Sequence, residues 1–154
     1  MRVYLVRHAH AGDREDWKGD DRARPLTGKG RRQAQGLVRL LGDTGVERVL
    51  SSPFLRCVQT VEPLALELGR AVETDPRLAE GSSRRQVIEL AAAVGAPSVL
   101  CSQGDVIGDV INDLVARSLV SPGDARAQKG STWVLDLEGG VVQAARYLPP
   151  PADG

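Results

Sequence analysis

Residues 1–10, MRVYLVRHAH, carry the pattern that decides the fold. The run of residues 1–6 is apolar and β-branched, which is typical of a buried β-strand. It is followed at once by a cation and two imidazoles, Arg7, His8 and His10. Open α/β sheets bind their ligands at the carboxyl ends of the strands. The opening residues therefore predict an α/β sheet with a polar site at the end of its first strand.

Strands and helices alternate along the rest of the chain. Further apolar stretches predict strands at residues 46–50, 71–74, 98–101, 131–137 and 141–147, the last two joined by a Gly139-Gly140 turn. Apolar residues at helical spacing between them predict four helices. We expect these helices to begin after Thr27, at Ser52-Pro53, after Ser83 and near residue 104. The pattern predicts a three-layer α/β/α fold with a mostly parallel sheet and a C-terminal antiparallel hairpin.

The composition narrows the function classes. The chain has 154 residues, and its 20 basic side chains balance its 20 acidic ones. It also has only 3% aromatic residues, so neither charge nor stacking favours a nucleic-acid partner. No apolar run approaches the roughly 20 residues of a membrane span. We expect a cytoplasmic monomer or weak oligomer with no membrane partner, whose two cysteines, Cys57 and Cys101, stay reduced.

Polar residues follow three of the predicted strands. They are Arg7-His8, then Ser51-Ser52-Pro53 with Arg56 one helical turn later, and Ser102-Gln103-Gly104-Asp105. Guanidiniums and helix N-termini bind phosphate oxygens, so these strand ends predict a phosphoryl or sulfuryl pocket. An imidazole in such a pocket is a nucleophile or a proton carrier. No second histidine or acidic cluster has metal-ligand spacing, so we expect no metal and no cofactor.

Three motifs in the first 60 residues carry a family resemblance. Leu5-Val6-Arg7-His8-Ala9 resembles the Arg-His-Gly signature of the histidine phosphatase (phosphoglycerate-mutase-like) superfamily. Residues 24–30, RPLTGKG, and residues 51–60, SSPFLRCVQT, are similar to two further blocks of its SixA-like phosphohistidine phosphatase branch. The resemblance implies a histidine-phosphatase-like domain over residues 1–148 with a Pro-rich tail at 149–154. It also implies a covalent phosphohistidine mechanism without metal.

The resemblance assigns roles to individual residues. His8 would attack phosphorus, and Arg7 and Arg56 would hold the equatorial oxygens. Glu80 lies where many family members carry a general acid, although an ordinary surface glutamate is the alternative. His10 is expected to be an exposed loop residue.

Three more residues are expected to contact the substrate. They are Arg24, Ser52 and Gly104. For Arg24 an equal alternative is a salt bridge to Asp20 or Asp21 in the same loop. The charges from Asp13 to Arg32 are mixed in sign and are interpreted as a solvated rim rather than a nucleic-acid patch.

One position departs from the family pattern. Where relatives have Ser-His-Gly after the fourth strand, this chain has Ser102-Gln103-Gly104. A glutamine amide still donates a hydrogen bond, but it carries no charge. Since charged donors contribute more than neutral ones, Gln103 is expected to slow the chemistry without abolishing it.

Two functions follow from these observations. The first is a phosphatase with a phosphohistidine intermediate, acting on a phosphohistidine protein or a small phosphoester. The chain has no long insertion after the second helix, which favours a shallow site suited to a phosphoprotein. The second is a phosphate-binding regulatory module with little or no turnover. A nucleotide-binding doubly wound domain is a weaker third, because residues 7–10 contain no glycine fingerprint.

Overall fold

The computed structural model describes residues 1–152 of the chain. Strands and helices alternate through this part, with four short 3₁₀ turns between them. The strands are β1 (Arg2–Arg7), β2 (Arg48–Ser51), β3 (Val72–Thr74), β4 (Ser98–Ser102), β5 (Thr132–Glu138) and β6 (Val141–Leu148). The helices are α1 (Gly28–Leu41), α2 (Leu55–Leu68), α3 (Arg84–Val94) and α4 (Gly104–Ala116).

The strands form one sheet in the order β3-β2-β4-β1-β5-β6. The first four are mutually parallel, β5 is antiparallel to β1, and β6 is antiparallel to β5. The predicted parallel sheet with a C-terminal hairpin is therefore confirmed. Arg7 pairs with Ser102, and Ser51 pairs with Cys101, so the carboxyl ends of β1, β2 and β4 lie side by side. This register brings the three polar strand ends together.

Both faces of the sheet are covered by helices. Alternate residues of each central strand point to opposite faces, as the pleat requires. Val6, Val49 and Val99 belong to the core cluster that contains residues of α1 and α2. Leu5, Leu50 and Leu100 belong to the cluster that contains residues of α3 and α4. The predicted three layers are confirmed.

Three of the four predicted helix starts are confirmed, including the one near residue 104, where α4 begins at Gly104, and one is wrong. Thr27 accepts a hydrogen bond from Gly30 N at 3.1 Å, and Ser83 forms a capping box with Gln86. The helix expected to begin at Ser52-Pro53 instead begins at Leu55. Ser52 Oγ accepts from the backbone N–H of Phe54 at 3.2 Å, a local turn that competes with helical capping. The expected cap therefore becomes part of the connection before α2.

A close approach connects α1 to the segment after β1. A Cβ at Gly30 would collide with the carbonyl oxygen of His10, so only glycine fits this position of the RPLTGKG motif. His10 is half-buried, and its Nδ1 lies 2.7 Å from Thr27 Oγ1. The expectation of an exposed His10 is wrong, because α1 packs directly on its backbone.

The last strand, β6, ends at Leu148. The next residues have no regular structure, and Pro151 packs against Gly36 of α1 so closely that a Cβ there would collide with it. Asp153 and Gly154 of the predicted tail lie outside the described residues, and the division into domain and tail stays a prediction. Within residues 1–152, no helix combines the length and the apolarity that crossing a bilayer demands. Cys57 and Cys101 are both buried, and neither forms a disulfide.

Candidate active site

A polar cavity of about 470 Å³ opens at the carboxyl ends of β1 and β4. It is lined by Arg7, His8, Gly12, Asp13, Arg14, Arg24, Arg56, Glu80, Gln103, Gly104, Asp105 and Lys129. This lining includes every predicted site residue except Ser52. Ser52 is fully buried in the turn before α2, so a role in substrate binding has no support in this geometry. A larger groove of about 730 Å³ lies along α2, away from these strand ends.

His8 is positioned with one ring nitrogen bound and the other free to react. Its Nδ1 lies 2.8 Å from the carbonyl oxygen of Ala9. A carbonyl only accepts, so Nδ1 carries the proton and Nε2 keeps its lone pair. Burial lowers the pKa of His8 from 6.5 to about 3, the cations of the pocket add to this, and the bond to Ala9 opposes it. The imidazole is therefore neutral at physiological pH, as a nucleophile must be.

Arg56 is buried and is held by Asp21, a residue of the predicted solvated rim. Its Nη1 donates to the backbone oxygen of Asp21 at 2.9 Å, and its Nη2 donates to Asp21 Oδ2 at 3.1 Å. Arg56 Nε is buried and has no partner within residues 1–152. Burial raises the pKa of Asp21, but the hydrogen bond from Arg24 and the charges of Arg56 and Arg14 outweigh it and leave the pKa below 3.8. The carboxylate orients two arginines at once.

Arg24 lines the cavity, but most of its hydrogen bonds go to the neighbouring loop. Its Nε donates to Asp21 Oδ1 at 3.0 Å. Its Nη1 donates to the carbonyl oxygens of Ala11 and Gly12 at 2.7 and 3.0 Å. Of the two predicted ion-pair partners, Asp21 is the one bound, because Asp20 pairs with Arg22 on the surface.

Arg7 lies against the start of α4. Its Nη1 donates to the carbonyl oxygen of Ala127 at 2.6 Å, and its Nε is buried without a partner in the described part of the chain. A Cβ at Gly104 would lie 2.8 Å from Arg7 Cζ. A side chain at position 104 would thus push the guanidinium out of its place.

Gln103 is 2% exposed and occupies the N-cap position of α4. Neither atom of its amide, Nε2 or Oε1, has a hydrogen-bond partner among residues 1–152. Leaving a buried polar group unsatisfied costs about 1–3 kcal/mol, so the amide needs a partner, which in a cavity is a water molecule or a ligand. Together with the free Nε atoms of Arg7 and Arg56, the amide gives the site three unused donors.

Glu80 reaches the cavity from the loop before α3. Its Oε1 accepts from Arg14 Nη2 at 2.7 Å and lies 3.7 Å from Arg56 Nη2. The loop is tied to α4, because Gly81 N donates to Asp105 Oδ2 at 2.9 Å. Arg14 and Asp105 were not predicted as site residues, since their charges are ordinary for a surface loop and a first helical turn.

Lys129 enters the cavity from the segment before β5. This segment is fastened to the end of β1, because Gly130 N donates to the carbonyl oxygens of Arg7 and His8 at 3.2 and 3.0 Å. Burial lowers the pKa of Lys129, with further lowering by Arg7 and Arg24. Nothing in the local sequence Lys129-Gly130-Ser131 shows that its lysine faces His8. Within residues 1–152 no cluster of three histidine, cysteine or acidic residues could hold a metal ion.

The sequence of the chain matches a known protein family. The sequence model of the histidine phosphatase superfamily (branch 1) matches residues 3–85, more than half of the chain. The chain is 42% identical to an 8-oxo-(d)GTP phosphatase of Mycolicibacterium smegmatis, over 97% of this chain and 48% of that protein. It is 36% identical to a probable phosphoglycerate mutase GpmB of Proteus mirabilis, over 52% of this chain and 38% of that protein. The chain spans about half of the length of these curated relatives, or less.

Solved structures agree with the sequence comparison. The protein histidine phosphatase SixA complexed with tungstate has a TM-score of 0.75 at 25% identity, covering 99% of this chain and 97% of that one. A putative phosphohistidine phosphatase SixA from Agrobacterium tumefaciens has a TM-score of 0.77 at 22% identity, covering 97% of each chain. On the family match, the fold and the shared motifs, this chain belongs to the histidine phosphatase superfamily, in its SixA-like branch.

Proposed function

We propose that this protein is a phosphatase that acts through a covalent phosphohistidine on His8. The observation that carries the proposal is the state of the His8 ring. It is buried and neutral, its Nδ1 is bound to Ala9, and its Nε2 is free in a cavity rich in cations. A neutral imidazole with one free nitrogen, next to guanidiniums, suits an in-line attack on phosphorus.

The proposed reaction has two displacements. His8 Nε2 attacks phosphorus, the bond from phosphorus to the leaving oxygen breaks, and that oxygen keeps the electron pair and takes a proton from Glu80. A water molecule then attacks the phosphorus of phosphohistidine, the P–N bond breaks, and inorganic phosphate leaves with the water oxygen. The water's second proton returns to Glu80, so His8 and Glu80 end as they began. The scheme needs no metal and no cofactor.

Arg7, Arg56 and Gln103 supply the donors for the phosphoryl oxygens in this scheme. Their unpartnered buried nitrogens support that role. Charge grows on the equatorial oxygens in the transition state, where preorganised donors contribute most. Gln103 offers a neutral amide where relatives have an imidazole, so we propose that turnover is slower than with histidine at this position.

Two substrate classes fit the proposal. SixA-like relatives carry the name of protein histidine phosphatases, and the mycobacterial relative carries that of an 8-oxo-(d)GTP phosphatase. The substrate is accordingly a phosphohistidine protein or a small phosphorylated molecule. The non-catalytic binding module is not favoured, because the chain retains His8 in the nucleophilic state and its named relatives are phosphatases and mutases. A cytoplasmic location and a monomeric or weakly oligomeric state stay predictions.

Trapping the intermediate tests the proposal. The protein is quenched in alkali during turnover of ³²P-labelled phosphoramidate, and the labelled peptide is mapped. The chain has only two histidines, so His8→Ala and His10→Ala form a matched pair. We expect the label on His8 in the wild type and in His10→Ala, and none in His8→Ala. Equal turnover by wild type and His8→Ala would exclude the covalent mechanism.

A further inference from the structure

Lys129 differs from the other cations of the cavity in having no partner among residues 1–152. Arg24 and Arg56 bind Asp21, and Arg14 pairs with Glu80. Arg7 donates to the carbonyl oxygen of Ala127. The ammonium of Lys129 makes no hydrogen bond and no ion pair with any of the described residues.

The position of Lys129 is fixed by the fold. Its carbonyl oxygen accepts from Gln33 Nε2 at 3.4 Å, and the next residue, Gly130, has a positive φ of 84°. The two hydrogen bonds from Gly130 N to the end of β1 hold this segment beside His8. These contacts hold the backbone of Lys129 in place at the edge of the cavity. A half-buried cation that faces three guanidiniums is unfavourable on its own and favourable once an anion arrives.

The walls of the cavity are uneven in charge. Glu80 and Asp105 lie on the side formed by the loop before α3 and by α4, and Lys129 lies on the side formed by the segment before β5. Asp13 raises the pKa of Lys129 but forms no ion pair with it. The second wall would attract an anionic group of the substrate that lies next to the reacting phosphoryl group.

The lining also lacks a hydrophobic surface. Its twelve residues are charged or polar side chains and two glycines, with no Phe, Tyr, Trp or large apolar side chain. An apolar leaving group would find no apolar side chain to pack on, and a nucleobase could stack only on imidazole or guanidinium groups. The part of the substrate next to the phosphoryl group is therefore recognised mainly by charged side chains.

We infer that Lys129 determines specificity by binding a second phosphate, the one next to the phosphoryl group that His8 receives. The substrate class is then a small phosphoanhydride, with a diphosphate group at its end. When the bridging P–O bond breaks, the leaving phosphate keeps the bridging oxygen and its electron pair and takes the proton from Glu80, while Lys129 offsets its remaining negative charge. This inference rests on the proposed function and chooses the small-molecule branch over the phosphoprotein branch.

Anion binding tests the inference without turnover. Affinities for inorganic phosphate and for non-hydrolysable methylenediphosphonate are measured by calorimetry on the wild type, Lys129→Met and Lys129→Arg. Lys29→Met is the matched control, since Lys29 is exposed and does not line the cavity. We expect Lys129→Met to reduce the preference for the diphosphonate over phosphate by about 10- to 100-fold, the contribution of a charged hydrogen bond. Lys129→Arg should keep the preference, and Lys29→Met should match the wild type.

The possible results separate the two proposals. If Lys129→Met weakens both anions equally, or neither, the inference is wrong while the phosphate pocket stands. If the wild type binds phosphate more tightly than the diphosphonate, the inference is likewise wrong. If the wild type binds neither anion, the pocket itself and the proposed function are both overturned.

Discussion

Asp21 and Arg56 are joined by two hydrogen bonds although they lie 35 residues apart in the chain. One comes from Nη1 to the backbone oxygen of Asp21, and the other from Nη2 to its carboxylate. Both outer nitrogens of the buried guanidinium have partners, which leaves Nε without one. The charged loop before α1 thus orients an arginine of α2 within the candidate active site.

Asp21→Asn is expected to lower kcat/KM by about 10- to 100-fold, because a misplaced arginine loses in-line alignment with phosphorus. Asp20→Asn is the matched control, since Asp20 pairs with Arg22 on the surface. Thermal unfolding identifies a temperature at which both variants are folded, and vanadate affinity is measured there. The affinity should fall for Asp21→Asn alone. Loss of stability with unchanged vanadate affinity would show that Asp21 has only a structural role.

Gln103→His is expected to raise kcat by roughly 10- to 10³-fold, because a donor that can carry charge replaces a neutral one. An imidazole can be charged near neutral pH, which the amide cannot. The gain should appear more in kcat than in KM, because the donor matters most where transition-state charge develops. Steady-state hydrolysis of an aryl phosphate and of phosphohistidine measures this. Equal rates for the two proteins would mean that the amide already suffices.

His8 is expected to make the folded protein less stable as the pH falls. Its pKa is about 3 when folded and 6.5 in the ordinary state, so the unfolded chain binds the proton first. The contribution of the neutral ring to the free energy of unfolding is fully present above pH 6.5. It is lost progressively between pH 6.5 and pH 3, at up to about 1.4 kcal/mol per pH unit. Urea unfolding in oxyanion-free buffer should show a shallower acid dependence for His8→Gln than for the wild type. Parallel curves would contradict the burial of a neutral His8.

Gly104→Ala and Gly108→Ala compare two glycines of the same helix, α4. A Cβ at Gly104 would meet the Arg7 guanidinium, whereas a Cβ at Gly108 would meet no atom within 4 Å. Gly104→Ala should lower activity by about tenfold or more through displacement of Arg7. Gly108→Ala should keep activity and gain about 0.5–1 kcal/mol of stability from helix propensity. Full activity in Gly104→Ala would show that Arg7 can move without loss.

The amino-acid sequence determined the elements and their order. Helical and strand periodicities follow from which side chains face the core, so the strands, four helices and the terminal hairpin could be predicted from local pattern. The strand-end residues Arg7, His8 and Gln103 could also be placed together, because the carboxyl ends of parallel strands lie at one edge of the sheet. The start of α2 could not be predicted, because Ser52 can cap a helix or accept from the Phe54 N–H in a local turn, and the structure has the turn.

Only the tertiary structure decided how the site is completed. Asp21 and Lys129 come from charged stretches whose local pattern is that of any solvated loop. Their positions depend on contacts between distant segments, Asp21 with Arg56 and the segment after Lys129 with the end of β1. Local sequence encodes burial and backbone preference, whereas the partner of a surface charge is set by which loops the folded sheet brings into contact.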